Sequence, residues 1–399
     1  MPFSRDLASL PLCAAPHRLY FSAGLVQLLL GLLYWGSELA LQLAGKGGFG
    51  SALPPRWLHG TLMVFGSMPF FAFGFLMTAM PRWHGAPALT AAQFRPPAAI
   101  MAIGWLVVWG GMLSSSPVLL VLGLVVAAAG LVIGVRPLWA IARAPLPATA
   151  HARMACAALL AGASAQLLLA AGLWQLSAER VTAALQLGIW WCLAPLFLVV
   201  VHRMLPVFTR GGLGLAVPET PRWVLYGVPG ACVLHGLLVI AGLPGLTWVV
   251  DLPAAAAGFY WSWRGGLAAS LNVRLLAMHH VALLWFPLAM LLLGTQSFAA
   301  SAGYHWGGLG PLHAVTLGFF LSMVLGMATR VSRGHSGRPV EASPLVWAMF
   351  WTLQVATALR VTADLLPIGA AGVLTLAAAL AVIVPFAGWA KVHFPMLLR

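Results

Sequence analysis

Apolar residues fall into runs of about twenty along this chain, separated by short segments rich in Gly, Pro or Arg. Each run is long enough to cross a bilayer as a helix. Read in order, the spans lie near 18–44, 57–80, 97–113, 117–142, 151–175, 181–207, 223–243, 244–264, 272–294, 307–330, 342–361 and 367–394. Only the turn Leu243-Pro244-Gly245 separates the seventh from the eighth. No polar domain or long linker interrupts the series, so the pattern predicts one all-α, polytopic membrane domain of twelve transmembrane helices over 1–399. Helices are the expected spanning element because lipid offers the backbone no other hydrogen-bond partner.

Composition agrees and adds orientation. Of 399 residues, 61% are apolar and 7% charged, too few charges to cover a soluble domain of this size. The net charge of +14 could suit nucleic acid. In so apolar a chain, the excess of Lys and Arg on the cytoplasmic side of membrane proteins explains it better. With both termini cytoplasmic, 17 of the 21 basic residues fall on inner segments; Lys46, Arg56, Arg180 and Arg360 fall outside. A miscounted span would scramble that alternation. The first apolar run is too long for a signal-peptide core, which predicts no cleavable leader. The four cysteines are scattered, with no Cys-x-x-Cys pair and no covalent haem-attachment signature.

The chemistry lies in the histidines. One stretch, His313 to Pro339, opens with an imidazole, crosses the membrane and ends in three arginines and His335. In the predicted topology the histidines fall into two layers. His59 and His313 lie near the outer face, with His235 in the outer half of the seventh span. His202, His279, His280 and His335 lie toward the inner face, with His84 just beyond the second span. A single membrane histidine more often makes a helix–helix hydrogen bond than a metal bond. Several at two depths suit metal ligation, b-type haem above all and copper as well. His17, His151 and His393, at inner helix ends, read as interfacial residues, and His84 and His305 are not taken as ligands.

Haem propionates call for guanidinium partners. Arg56 and Arg360 are candidates outside; Arg203, Arg274, Arg330 and Arg338 are candidates inside. Met63 follows His59 by one helical turn, a position from which a thioether could ligate copper or haem. The seven acids include none clearly at mid-membrane, which argues against a proton-coupled transporter. Glu38 is the one candidate proton relay, on the side of His59 and His313. The second, sixth and tenth spans end alike, in Ala79-Met80-Pro81-Arg82, His202-Arg203-Met204-Leu205-Pro206 and Met327-Ala328-Thr329-Arg330, which suggests three four-helix units.

At Arg330-Val331-Ser332-Arg333-Gly334-His335-Ser336-Gly337-Arg338-Pro339 the sequence resembles the NnrS family of bacterial membrane proteins. The likeness extends to His59, Phe65-Gly66, Gly74-Phe75-Leu76-Met77-Thr78-Ala79 and Pro81-Arg82-Trp83, to His202–Thr209, and over nearly the whole chain. Many members carry His-x-His-Glu-Met at the head of the second span; here His59-Gly60-Thr61-Leu62-Met63 lacks the second imidazole and the carboxylate. The resemblance implies haem b, copper and a role in the bacterial response to nitric oxide, in the cytoplasmic membrane. Combined with the depth argument, it points to His59 and His313 for an outer haem. His202, His279, His280 and His335 would then serve a second metal site near the inner face. Nitric oxide would be the ligand or substrate, and a quinol or other donor the electron source. The competing classes are a quinol-linked electron-transfer cytochrome b without nitric oxide chemistry, a metal-delivery or sensing protein, and a twelve-helix transporter without redox cofactor.

Overall fold

The computed structural model describes residues 10–51, 53–144, 149–214, 218–366 and 369–398. It holds twelve long helices and, among the described residues, no strand. They are α1 (Pro16–Leu43), α2 (Pro55–Trp83), α3 (Ala91–Leu113), α4 (Pro117–Ala142), α5 (Thr149–Trp174), α6 (Ala178–Leu213), α7 (Arg222–Ile240), α8 (Trp248–Arg264), α9 (Arg274–Ser301), α10 (Gly310–His335), α11 (Pro344–Leu365) and α12 (Ala371–Leu397). Eleven are long and apolar enough to span a membrane; α8, at 17 residues, is the shortest.

Local sequence explains many of the starts. Proline stands in the first turn of α1, α2, α4 and α11, where its missing N–H is no loss. Ser116, Ser177 and Ser343 cap α4, α6 and α11 by accepting from a backbone N–H three residues on. Thr90 and Gln93 form a reciprocal capping box on α3.

The helices form three units of four arranged in a ring. The last helix of each unit packs on the first helix of the next: α4 on α5, α8 on α9, and α12 back on α1. The second helix of each unit, α2, α6 and α10, lies inside the ring. In these three, 83%, 78% and 78% of the apolar window is buried, against 22–67% in the other eight spans measured. They meet one another directly, for instance where Phe197 of α6 packs on Phe320 of α10 at 4.9 Å between ring centroids. An apolar cavity of about 50 Å³ at their centre is walled by Phe71, Phe75, Phe197, Met323 and Met327.

Each of these three inner helices, and no other described segment, contains a π-helical stretch: Leu62–Ser67, Gly188–Leu193 and Ala314–Leu321. An inserted residue widens the turn and is a common mark of functional sites. The recurrence strengthens the three-unit reading, which the short resemblance of helix ends only suggested.

Inter-unit and intra-unit seams use glycine for close approach. A Cβ on Gly104 of α3 would sit 2.5 Å from the backbone nitrogen of Ala127 on α4, and one on Gly123 would meet the carbonyl of Gly104 at 2.6 Å. Backbone atoms cannot rotate away. Gly104→Leu is expected to force α3 and α4 apart and to cost about 1–3 kcal/mol. A thermal scan of detergent-purified protein checks this; an unchanged midpoint would contradict the seam.

Candidate functional site

At the outer ends of the inner helices, the π stretches are preceded by His59 on α2, Gln186 on α6 and His313 on α10. His59 stacks on Trp35 of α1, with centroids 4.2 Å apart and planes at 17°. Its Nδ1 is buried without a hydrogen-bond partner. His313 directs Nδ1 to the carbonyl of Leu309 at 2.9 Å. With Nδ1–H as donor, the lone pair falls on Nε2, the tautomer that suits a metal ligand. His59, His313 and Arg360 of α11 lie within electrostatic range of one another. The structure therefore brings together three of the residues singled out for the outer site.

Arg360 is already engaged: its guanidinium pairs with Asp364 at 2.8 Å, and Asp364 also accepts the backbone N–H of Leu309 at 2.9 Å. That pair ties α11 to the head of the helix carrying His313. Arg56 is exposed at the rim. Met63 reaches back toward Gly31 of α1, the neighbour of Trp35 one turn away, so thioether and imidazole share the α1–α2 seam.

Glu38 makes no hydrogen bond to either imidazole. It is buried at 1% exposure, with Oε1 accepting from the Gln42 amide at 2.6 Å and Oε2 from the Phe49 N–H at 2.9 Å. Gly48 presses against it. The carboxylate holds the loop after α1 in place.

The inner layer divides into three places, one at each junction between units. Imidazoles of His17 on α1 and His335 on α10 lie 4.5 Å apart by centroid, with His17 Nδ1 and His335 Nε2 unpartnered. Arg18 and Arg82 are near both, and His393, stacked on Trp389, lies near Arg333 and Arg338. At the second junction, His151 Nε2 on α5 meets His202 Nδ1 on α6 at 3.0 Å, and His84 of α2 is within electrostatic range of His151. At the third, α9 presents His279 and His280 to α6 and α10. His279 bonds the Leu275 carbonyl through Nδ1 at 2.6 Å and leaves Nε2 buried and unpartnered beside Gly326. His280 Nε2 meets Thr209 Oγ1 at 2.9 Å. Arg330 lies within electrostatic range of His279, and its guanidinium sits 3.9 Å over the Phe208 ring.

The set His202, His279, His280 and His335 is thus not one site. Three-unit packing separates its members, and among the described residues no three His, Cys, Asp or Glu side chains gather as a metal site would need. His202 spends both nitrogens, on His151 and on the Pro221 carbonyl at 3.2 Å. Arg338 is exposed beyond α10. Sequence reasoning passed over His17, His84, His151 and His393 as interfacial or unlikely ligands. Their signal was positional: His17, His84 and His151 end up opposite another unit's basic or imidazole side chain, and His393 near Arg333 and Arg338 of its own unit. In all, eight of the twelve histidines keep a buried nitrogen without a protein partner: His17, His59, His84, His151, His279, His280, His335 and His393.

Fold and site together define a polytopic all-α membrane protein whose buried imidazoles are held at both ends of an inner trio of helices. The chain matches the family model described as NnrS protein over residues 11–399, nearly its full length, and it belongs to the NnrS family. Membership supports a membrane protein of the nitric oxide response. No curated protein matched the chain.

Because Glu38 is committed to the loop, Glu38→Gln should lower stability by about 1–3 kcal/mol through a weakened buried acceptor. A thermal scan of detergent-purified protein tests this; an unchanged midpoint would contradict the loop-holding role.

Proposed function

We propose that this protein binds or reduces nitric oxide in the bacterial cytoplasmic membrane at metal centres held by its buried imidazoles, and so protects against nitrosative stress. The observation that carries the reading is the set of buried ring nitrogens left without a protein partner inside a lipid-embedded fold. An unpaired polar atom there is costly, and ligation is one way to satisfy it.

The donor set fits a b-type haem, which His59 and His313 would hold, with one imidazole displaceable by nitric oxide. Trp35 fixes the plane of one ring and the Leu309 carbonyl fixes the tautomer of the other. Arg360, and Arg56 at the rim, supply positive charge for propionates. On the inner side, His279 is the best-prepared ligand for a second centre, haem or copper, with Arg330 beside it; His335 with His17 is the other prepared pair. When bound, ferrous haem supplies an iron orbital for nitric oxide, and copper a second binding or electron-transfer centre. The chain's own part is to orient the imidazoles, exclude water and let a lipid-soluble gas arrive through the bilayer. The aromatic and methionine packing where α2, α6 and α10 meet favours this reading over a transporter, which needs a polar central path.

Optical spectra of purified protein, as isolated, reduced with dithionite and then exposed to nitric oxide, test this alongside iron and copper analysis. Sharp b-type bands that shift with nitric oxide are expected. His59→Ala and His313→Ala should each remove about one haem equivalent. Protein without iron or a Soret band, from cells that make haem, would refute the proposal.

A further inference from the structure

A cavity of about 600 Å³ opens at the outer side between α6, α7, α9 and the start of α10. It is where the second and third units meet, while His59 and His313 lie where the third meets the first.

Its wall carries a buried dyad. His235 of α7 bonds through Nδ1 to Asp251 Oδ1 of α8 at 2.7 Å, and the two residues are 4% and 0% exposed. With the aspartate ionised, Nδ1 carries the proton and Nε2 keeps a bare lone pair. No protein group bonds Nε2, and it is not among the fully buried atoms, so it remains free to accept a hydrogen bond. Trp190 packs on the imidazole at 4.2 Å between centroids. Gln186 Oε1 and Trp190 Nε1, both on the same wall, are buried without partners. Gln296 donates to the carbonyls of Trp306 and Gly308, and Ser297 and Thr247 donate to that of Pro244; His305, also on the wall, is exposed. Leu293, Leu309 and Leu312 supply apolar wall.

We propose that this cavity binds the headgroup of a lipid-soluble quinone or hydroquinone. A hydroquinone hydroxyl donates to His235 Nε2, which Asp251 holds in the accepting tautomer. The Gln186 carbonyl and the Trp190 indole N–H supply the acceptor and donor that a ring with oxygens at opposite ends can use. A metal ion is the poorer occupant, since the cavity offers one deep imidazole and no cluster of three ligating side chains occurs among the described residues. The volume is that of a small-molecule pocket. His235 lies five residues before the outer end of α7, about 7.5 Å into the helix, a depth that membrane-dissolved ligands reach. Binding is a property of this chain alone and does not depend on the haem reading; if that reading holds, this is where its electron donor docks.

The test uses purified protein in phosphatidylcholine nanodiscs, titrated with decylubiquinone and followed by tryptophan quenching. Saturable quenching is expected. His235→Ala, Asp251→Asn and Gln186→Leu should each weaken it at least ten-fold, and His59→Ala should leave it unchanged. Size-exclusion profiles identify any variant that fails to fold, and the decision then rests on the conservative Asp251→Asn and on Gln186→Leu, which leaves the dyad intact. Absence of saturation, wild-type affinity in the folded variants, or one copper ion per chain that departs with His235→Ala would overturn the proposal. Loss of haem in His59→Ala with quinone binding intact separates this site from the metal centre.

Discussion

Lipid gives a buried polar group nothing to bond to, and most of this structure follows from that constraint. The recurring device of the helix seams is a side chain bonded to another helix. Trp109 donates to Gln27 at 2.9 Å, joining α3 to α1; Trp285 donates to Gln354 at 2.7 Å, joining α9 to α11; and Gln354 reaches on to Ser322 of α10 at 2.9 Å. The first and third units thus use the same indole–amide device with donor and acceptor exchanged. Gln166 bonds the Leu124 carbonyl across α5 and α4, and Trp389 bonds Thr329 across α12 and α10. Against this background the unpartnered imidazole nitrogens stand apart.

The three-unit ring explains where those imidazoles sit. At two of the junctions the first helix of one unit touches the second helix of the preceding one, α9 on α6 and α1 on α10, with α12 on α1 closing the circle. Inner-end histidines therefore have neighbours across junctions, His17 with His335, His151 with His84 and His279 with Phe208, while His151–His202 and His279–Arg330 are contacts within a unit. At the outer end the same positions carry His59, Gln186 and His313, so the units have diverged. Two keep an imidazole ahead of the π stretch; the other has an amide there and a histidine–aspartate dyad on the neighbouring helix. A quasi-symmetric scaffold can in this way present chemically different pockets at equivalent depths.

The number of spans, their all-helical nature and the pairing of His59 with His313 were legible in the chain, because bilayer thickness fixes run length and the charge alternation fixes orientation. So was the family, from the motif at Arg330–Pro339. The helix ends shifted most at α9, which runs on to Ser301 beyond the expected end near 294, and at α6, which runs on to Leu213 beyond 207, since Pro206 is accommodated within a buried helix. The π stretches were not legible: an inserted residue changes no composition, only the phase of the turn. Nor was the Glu38 loop contact, because it depends on where Phe49 folds back after the helix has ended.

What the sequence determined by itself is depth: how far along each helix every histidine, arginine and acid lies, since rise per residue and bilayer thickness are constants. What only the tertiary structure decided is partnership. Helix rotation and the order of units around the ring separated His202, His279 and His335 into different junctions, joined His17 to His335 and set His235 on Asp251. Sequence distance carries no information on those pairings, because in a helical bundle the contact across a seam depends on which face each helix turns inward, and that is settled only when all twelve pack together.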